Sequence, residues 1–252
     1  PAQQPEQYPG VDTTITIKAA QAADRRKPIW RVSQDVKTQS ETRIYLAESL
    51  ANGANEWLLN GMMESPLPPS KSTVGTWGSG TYGYAEHLRS AQFGNGPARF
   101  LLTDRQRLAD GAVIYCLACS LWRGLVGTLG EASPLLFQES LPTMGRLLEH
   151  SQVSWEFVAT GHSDLWQPPP ESLRRLAPPS DGVRPYAWVA LPNVDVVSDA
   201  DVARLSSYVR GGGLLVLIGA ATGTLNEDLS PRTVPAFGGL EQEPGKGVVM
   251  RV

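Results

Sequence analysis

"SDADVARLSSYVRGGGLLVLIG", Ser198–Gly219, holds a helix pattern, three glycines and an apolar run in immediate succession. Ser198 stands where a helix N-cap belongs, with Val202, Leu205 and Val209 following at helical spacing on one face. A glycine-rich phosphate cradle lies between a strand and the helix that follows it, so that backbone amides at the helix start face the anion. Here the order is reversed. A nucleophile elbow needs a Ser or Cys at the sharp turn after a strand, and after "LLVLIG" the chain offers Ala220, Ala221 and Thr222. Gly211–Gly213 therefore read as a helix stop and a tight turn into a buried strand.

The same alternation extends outward. Strand patterns at "AVIYCLA", "WEFVAT" and "YAWVALP", with the helix pattern "ESLPTMGRLLEHS" among them, predict a small doubly wound parallel α/β sheet. Val113, Tyr115, Val189, Leu191, Leu215 and Leu217 are expected on its central strands. Upstream, Thr13–Ile17 alternates like a strand, Ala19–Arg26 favours helix, and Lys27–Val32 looks like a second strand. A helix capped by Ser40, carrying Ile44, Leu46, Ala47 and Leu50, ends at Asn52-Gly53 before a strand at Glu56–Leu59. This is the βα rhythm of a parallel sheet or barrel. Between Met62 and Trp77 the chain is rich in Pro, Ser and Gly, an irregular loop. The expected organisation is 1–62 as βα units, 63–110 as loop and helical connection, 111–232 as the α/β domain, and 233–252 as the start of a following β segment.

Composition narrows the function. With 252 residues, 41% hydrophobic and 19% charged, the chain is globular and long enough for one large domain or two ordinary ones. A net charge of -3 and no cluster of Lys and Arg beyond Arg25-Arg26 give no expectation of nucleic acid. No apolar run reaches the roughly 18–20 residues that span a bilayer, so no membrane partner is expected. The opening "PAQQPEQYPG" lacks a Met, a basic region and an apolar region, which predicts a removed leader or a fragment and leaves localisation open. Two cysteines make no disulfide framework.

Three further motifs bear on chemistry. "GSGTYG", Gly78–Gly83, matches the dinucleotide fingerprint letter for letter, but no strand precedes it, so loop glycines are expected. In "CLAC", Cys116 and Cys119 fall at a strand end rather than opening a helix, and His87, His150 and His162 have no ligand spacing; two buried thiols without metal are expected. Among Asp35, Glu41, Glu48 and Glu64, Glu48 is expected on a solvated helix face. Asp35 directly follows the strand "PIWRVSQ", at the carboxyl end where barrel enzymes place catalytic groups. No cofactor or metal site is called for.

Two stretches carry a resemblance. "RIYLAESLANGANEWLL" resembles the seventh helix and eighth strand of (β/α)8 glycoside hydrolases of the beta-galactosidase type. "LPNVDVVSDADVARLSSYVRGGGLLVLIGAATGTLNED" resembles the flavodoxin-like, class I amidotransferase-like domain that follows that barrel, called the trimerisation domain. The resemblance runs from about Ile15 to Arg232 and implies a partial barrel segment followed by an amidotransferase-like parallel sheet. It further implies that this second domain lacks a catalytic Cys and serves homo-oligomer or barrel contacts, and that the barrel's acid/base lies upstream of Pro1. The family's nucleophile is a Glu at the end of the seventh strand; here that strand ends Ser33-Gln34-Asp35, so either Asp35 replaces it or the parent belongs to a divergent branch, active or inactive.

The candidate site is thus the carboxyl edge of the two early strands: Asp35 as catalytic group, with Arg31, Gln34, Trp57 and Asn60, roofed by the loop bearing Trp77 and Tyr82. Trp and Tyr rings stack on sugars, and the Arg, Gln and Asn side chains hydrogen-bond hydroxyls, so a carbohydrate is the expected ligand. The alternatives are a glycoside-hydrolase-like fragment, a non-catalytic carbohydrate-binding or assembly module, and an active amidotransferase-like hydrolase, the last disfavoured by the absent elbow Cys.

Overall fold

The computed structural model describes residues 11–23, 29–34, 44, 47–59, 109–120, 135–160, 173–176, 183–240 and 247–252. The chain divides into two compact units, Pro1–Ile17 with Arg26–Arg107, and Lys18–Arg25 with Leu108–Val252.

The first described element is a helix, α1 (Val11–Ala23), which overturns the strand expected at Thr13–Ile17. Alternating Thr and Ile suggested a period of two, yet Thr14, Lys18 and Ala22 are buried at steps of four and Ile15 with them, the stripe of a helix. Burial of that stripe outweighs the small helix penalty of β-branched residues.

In the first unit, β1 (Trp30–Gln34) and β2 (Asn55–Leu59) pair in parallel, with Trp30 opposite Asn55 and Gln34 opposite Leu59. The helical turn before β2, residues 47–51, stops at Asn52-Gly53 as expected. Ala54 N–H donates to Ser49 O (2.8 Å), Gly53 N–H to Leu50 O (3.1 Å), and Gly53 has φ +77°. Those paired bonds are a Schellman stop, which requires a left-handed residue and so favours glycine.

The second unit is built on a five-stranded, all-parallel sheet: β3 (Gly111–Cys116), β4 (Trp155–Thr160), β5 (Trp188–Pro192), β6 (Leu214–Ile218) and β7 (Val248–Arg251), in the order β4-β3-β5-β6-β7. The chain is thus of the α/β class. Helices α2 (Leu135–His150) and α3 (Asp199–Arg210) pack on β5 and β6 respectively. The six residues expected on central strands lie on β3, β5 and β6, where Val113, Val189, Leu191, Leu215 and Leu217 are inaccessible to solvent. Such near-continuous apolar runs are what a sheet buried on both faces requires.

The glycine run behaves as expected. Ser198 caps α3, its Oγ accepting from Asp201 N–H. At the other end Gly212 N–H donates to Val209 O (2.9 Å) and Gly213 N–H to Tyr208 O (3.0 Å), with Gly212 at φ +107°. Gly213 has a second role: a Cβ there would fall 2.2 Å from the Tyr208 ring. Gly111 likewise lies flat beneath Trp188, so the amino ends of two strands are glycines on which aromatic rings rest. The α2–β4 joint repeats the stop without glycine: Val153 N–H donates to Leu148 O, Gln152 N–H to Glu149 O, and Gln152 adopts φ +53°.

The two sheet edges differ. Every residue of β4 is buried, including Glu156. On β7, which pairs with β6, Val248, Met250 and the adjoining Val252 are 56%, 49% and 73% exposed. Among the described residues no helix is long and apolar enough to cross a membrane.

Candidate functional site

Parallel strands present their carboxyl ends and the loops that follow to one side, so each sheet has one edge where ligands are received. In the first unit Arg31 and Gln34 stand on β1 and Trp57 on β2, Arg31 opposite Glu56, Trp57 opposite Val32, and Gln34 opposite Leu59. Asp35, Asn60, Trp77 and Tyr82 lie outside the described residues, as do Glu41, Glu64, His87, His162 and the "GSGTYG" loop. Glu48 is half-buried rather than solvated: Thr14 Oγ1 donates to its Oε1 (3.2 Å), and Asn52 Nδ2 donates both to Thr14 Oγ1 (3.1 Å) and to Glu48 O (2.9 Å). That carboxylate has a structural partner on α1.

In the five-stranded sheet the strand order reverses at β3, whose neighbours are β4 and β5. The crevice outside the carboxyl ends of β3 and β5 is the position where open α/β sheets bind ligands. Here the described parts of the two loops bond to each other. Cys116 ends β3, residues 117–120 turn helical, and the loop after β5 packs on them: Val196 O accepts from Cys116 Sγ (3.4 Å) and Cys119 Sγ (3.6 Å), while Val196 N–H donates to Cys119 Sγ (3.3 Å). Both thiols are free and buried, as expected, and burial pushes the Cys116 thiol well above its usual range. The expectation that the pair merely ends a strand is corrected, because Cys119 lies in a helical turn. "AVIYCLA" looked like one unbroken strand because Leu117 and Ala118 suit either state.

Beside the crevice, Asp201 in the first turn of α3 accepts from Ser198 Oγ (2.9 Å) and Arg204 Nη1 (2.6 Å), and Arg232 Nη2 reaches Val197 O (2.6 Å) and Asp199 Oδ1 (2.8 Å). These bonds tie the 194–199 loop to the first turn of α3 and to Arg232. After β6, Gly219 (φ +92°) and the two alanines carry no nucleophile, and Thr222 is wholly buried with its Oγ1 donating to Ile218 O (2.7 Å). Among the described residues no group of three or more His, Cys, Asp or Glu side chains is placed to hold a metal ion.

No family model and no curated protein matches the sequence. Solved structures do resemble it. A beta-galactosidase from the haloarchaeon Halorubrum lacusprofundi superposes with a TM-score of 0.57 at 18% identity, over 94% of this chain and 35% of that one. The beta-galactosidase of Bacillus circulans sp. alkalophilus gives 0.57 at 14% identity, over 90% and 32%. Gan42B, a GH42 beta-galactosidase from G. stearothermophilus, gives 0.55 at 13% identity for its E323A catalytic mutant, over 93% and 34%. The likeness is one of fold. The chain spans about a third of the length of these proteins.

Proposed function

We propose that this chain is part of a carbohydrate-active, glycoside-hydrolase-like protein, in which the five-stranded unit is a flavodoxin-like, amidotransferase-like domain without catalysis of its own. The observation that carries this is the bonding at the strand-order reversal, where a ligand would bind: Val196 is held there by two buried thiols. In chain order the strands run 2-1-3-4-5, the flavodoxin-like order. The absence of a nucleophile after β6 supports the same view. So does the apolar, exposed edge at Val248, Met250 and Val252, which suits contact with a second copy or with a barrel.

Sugar chemistry in this proposal belongs to the carboxyl edge of β1 and β2, with Asp35 catalytic and Arg31, Gln34, Trp57, Asn60, Trp77 and Tyr82 holding the carbohydrate. The test is turnover of chromogenic galactosides, glucosides and fucosides by a parent protein that includes a complete barrel. Asp35→Asn there should lower kcat by orders of magnitude if Asp35 carries covalent or acid/base catalysis; unchanged turnover removes it from the site. Ser33-Gln34-Asp35 in place of a strand-terminal Glu favours a second reading, a non-catalytic carbohydrate-binding or assembly module. Sugar binding by calorimetry with no turnover would select it. Sedimentation velocity tests the homo-oligomer, and a strictly monomeric parent rejects it.

A further inference from the structure

Cys116 and Cys119, the thiols that hold Val196, converge on one backbone carbonyl. Cys116 closes β3 and Cys119 falls in the helical turn that follows, the strand-to-helix placement of reactive C-x-x-C pairs. The backbone N–H of Cys119 donates to Cys116 Sγ at 3.1 Å, and both thiols donate to one acceptor, Val196 O, at 3.4 and 3.6 Å. The sulfurs therefore gather around a single carbonyl. That carbonyl belongs to a loop tied further on: Val197 N–H donates to Leu225 O (3.2 Å), and Leu225 N–H donates to Asp195 O (3.0 Å).

We propose that Cys116 and Cys119 are a redox clasp: as two thiols they hold the β5–α3 loop at Val196, and by exchange with a small disulfide they bond to each other and release it. In the first step one cysteine, as thiolate, attacks a sulfur of a glutathione-type disulfide, forming a mixed disulfide and expelling one glutathione thiolate. The second cysteine then attacks the protein-side sulfur, forming the Cys116–Cys119 bond and expelling the other. Two electrons pass to the small disulfide, and the two thiol protons end on two glutathione molecules. Both S–H donors to Val196 O are lost together, so a buried carbonyl gives up its two thiol partners and the loop opens more often. Both cysteines have no solvent exposure in the closed form, so exchange waits for the loop to open. The high thiol pKa of Cys116 slows it further.

The full chain equilibrated with oxidised glutathione, quenched in acid, then unfolded in urea at neutral pH with N-ethylmaleimide, is read by peptide mass. The expected product has lost two hydrogens, and neither cysteine is labelled. Hydrogen exchange at the amides of Val197 and Leu225 should run about tenfold faster than in the reduced chain. Cys116→Ser and Cys119→Ser each remove the internal bond, and in whichever variant folds, oxidant should leave that exchange unchanged. The proposal fails if both thiols remain open to labelling, if glutathione stays attached instead of being expelled, if the disulfide forms without faster exchange, or if a single-Ser variant responds like the parent.

Discussion

Arg175→Met should destabilise the five-stranded unit by about 5 kcal/mol, a large share of the roughly 5–15 kcal/mol that holds a domain folded. Glu156, on β4, is 2% exposed, and its carboxylate accepts from Arg175 Nη1 at 3.0 Å and from the Tyr186 hydroxyl. Arg175 also donates through Nε to Arg184 O (3.0 Å) and through Nη2 to Ala109 O, and its guanidinium lies 4.0 Å from the centre of the Tyr186 ring. Methionine keeps much of the stem's packing while removing the charge and all these donors. Breaking a buried pair by deleting one partner costs about 3–5 kcal/mol, because the remaining charge stays buried. The lost backbone bonds add about 1 kcal/mol, since part of their worth returns through water. Urea unfolding followed by tryptophan fluorescence measures the difference. Because most of the cost is the stranded carboxylate, Glu156→Met combined with Arg175→Met should be markedly less harmful than Arg175→Met alone. A single-variant cost below about 1 kcal/mol, or a double variant whose cost is the sum of the two singles, would refute the reasoning.

Alkaline stability should report Tyr208, whose pKa burial raises to about 12 from 10.0. The folded state then holds the proton more tightly, so its contribution is complete below pH 10 and is lost as pH rises towards 12, about 3 kcal/mol at most. Tyr208→Phe should flatten that slope in unfolding measured from pH 9 upward, while lowering stability at neutral pH through the lost bond to Tyr186 O (2.9 Å); an unchanged slope would remove Tyr208 as its source. Gln152→Gly should raise Tm, because the φ of +53° costs a side-chain-bearing residue about 1 kcal/mol that glycine does not pay, and a lower Tm contradicts this. Leu215→Asp, at a position with no solvent exposure, should unfold the sheet in circular dichroism, since an unpaired buried carboxylate costs several kcal/mol; a folded variant would show that the strand is not central.

Short-range chemistry made much of this molecule legible in its sequence. Ser198 as a cap, Gly211–Gly213 as a helix stop and the apolar runs of β3, β5 and β6 each depend on residues within one turn of helix or one strand, and the structure contains them as read. The same local evidence failed at α1, where Thr and Ile alternate in sequence while their burial follows a helix packed on other elements. It failed again at Cys119, where the helical turn is stabilised by Val196, 77 residues away. The carboxyl edge of β1 and β2 was legible as a pairing of strands, because the βα rhythm is local, although the chemistry assigned to it rests on residue types and resemblance.

By itself the sequence determined the class of fold: which segments are strands in a parallel α/β sheet, where helices stop, and that no charge pattern favours nucleic acid. Only the tertiary structure decided that the loops after β3 and β5 bond to each other at Val196, that β7 pairs with β6, and that Glu156 is buried against Arg175 and Tyr186, 19 and 30 residues away. Hydrophobic periodicity and capping act over a few residues and leave a mark in the order of letters. Strand order, the choice of edge and the partner of a buried charge are set by packing among segments far apart in the chain, and the local order of residues carries no record of that packing.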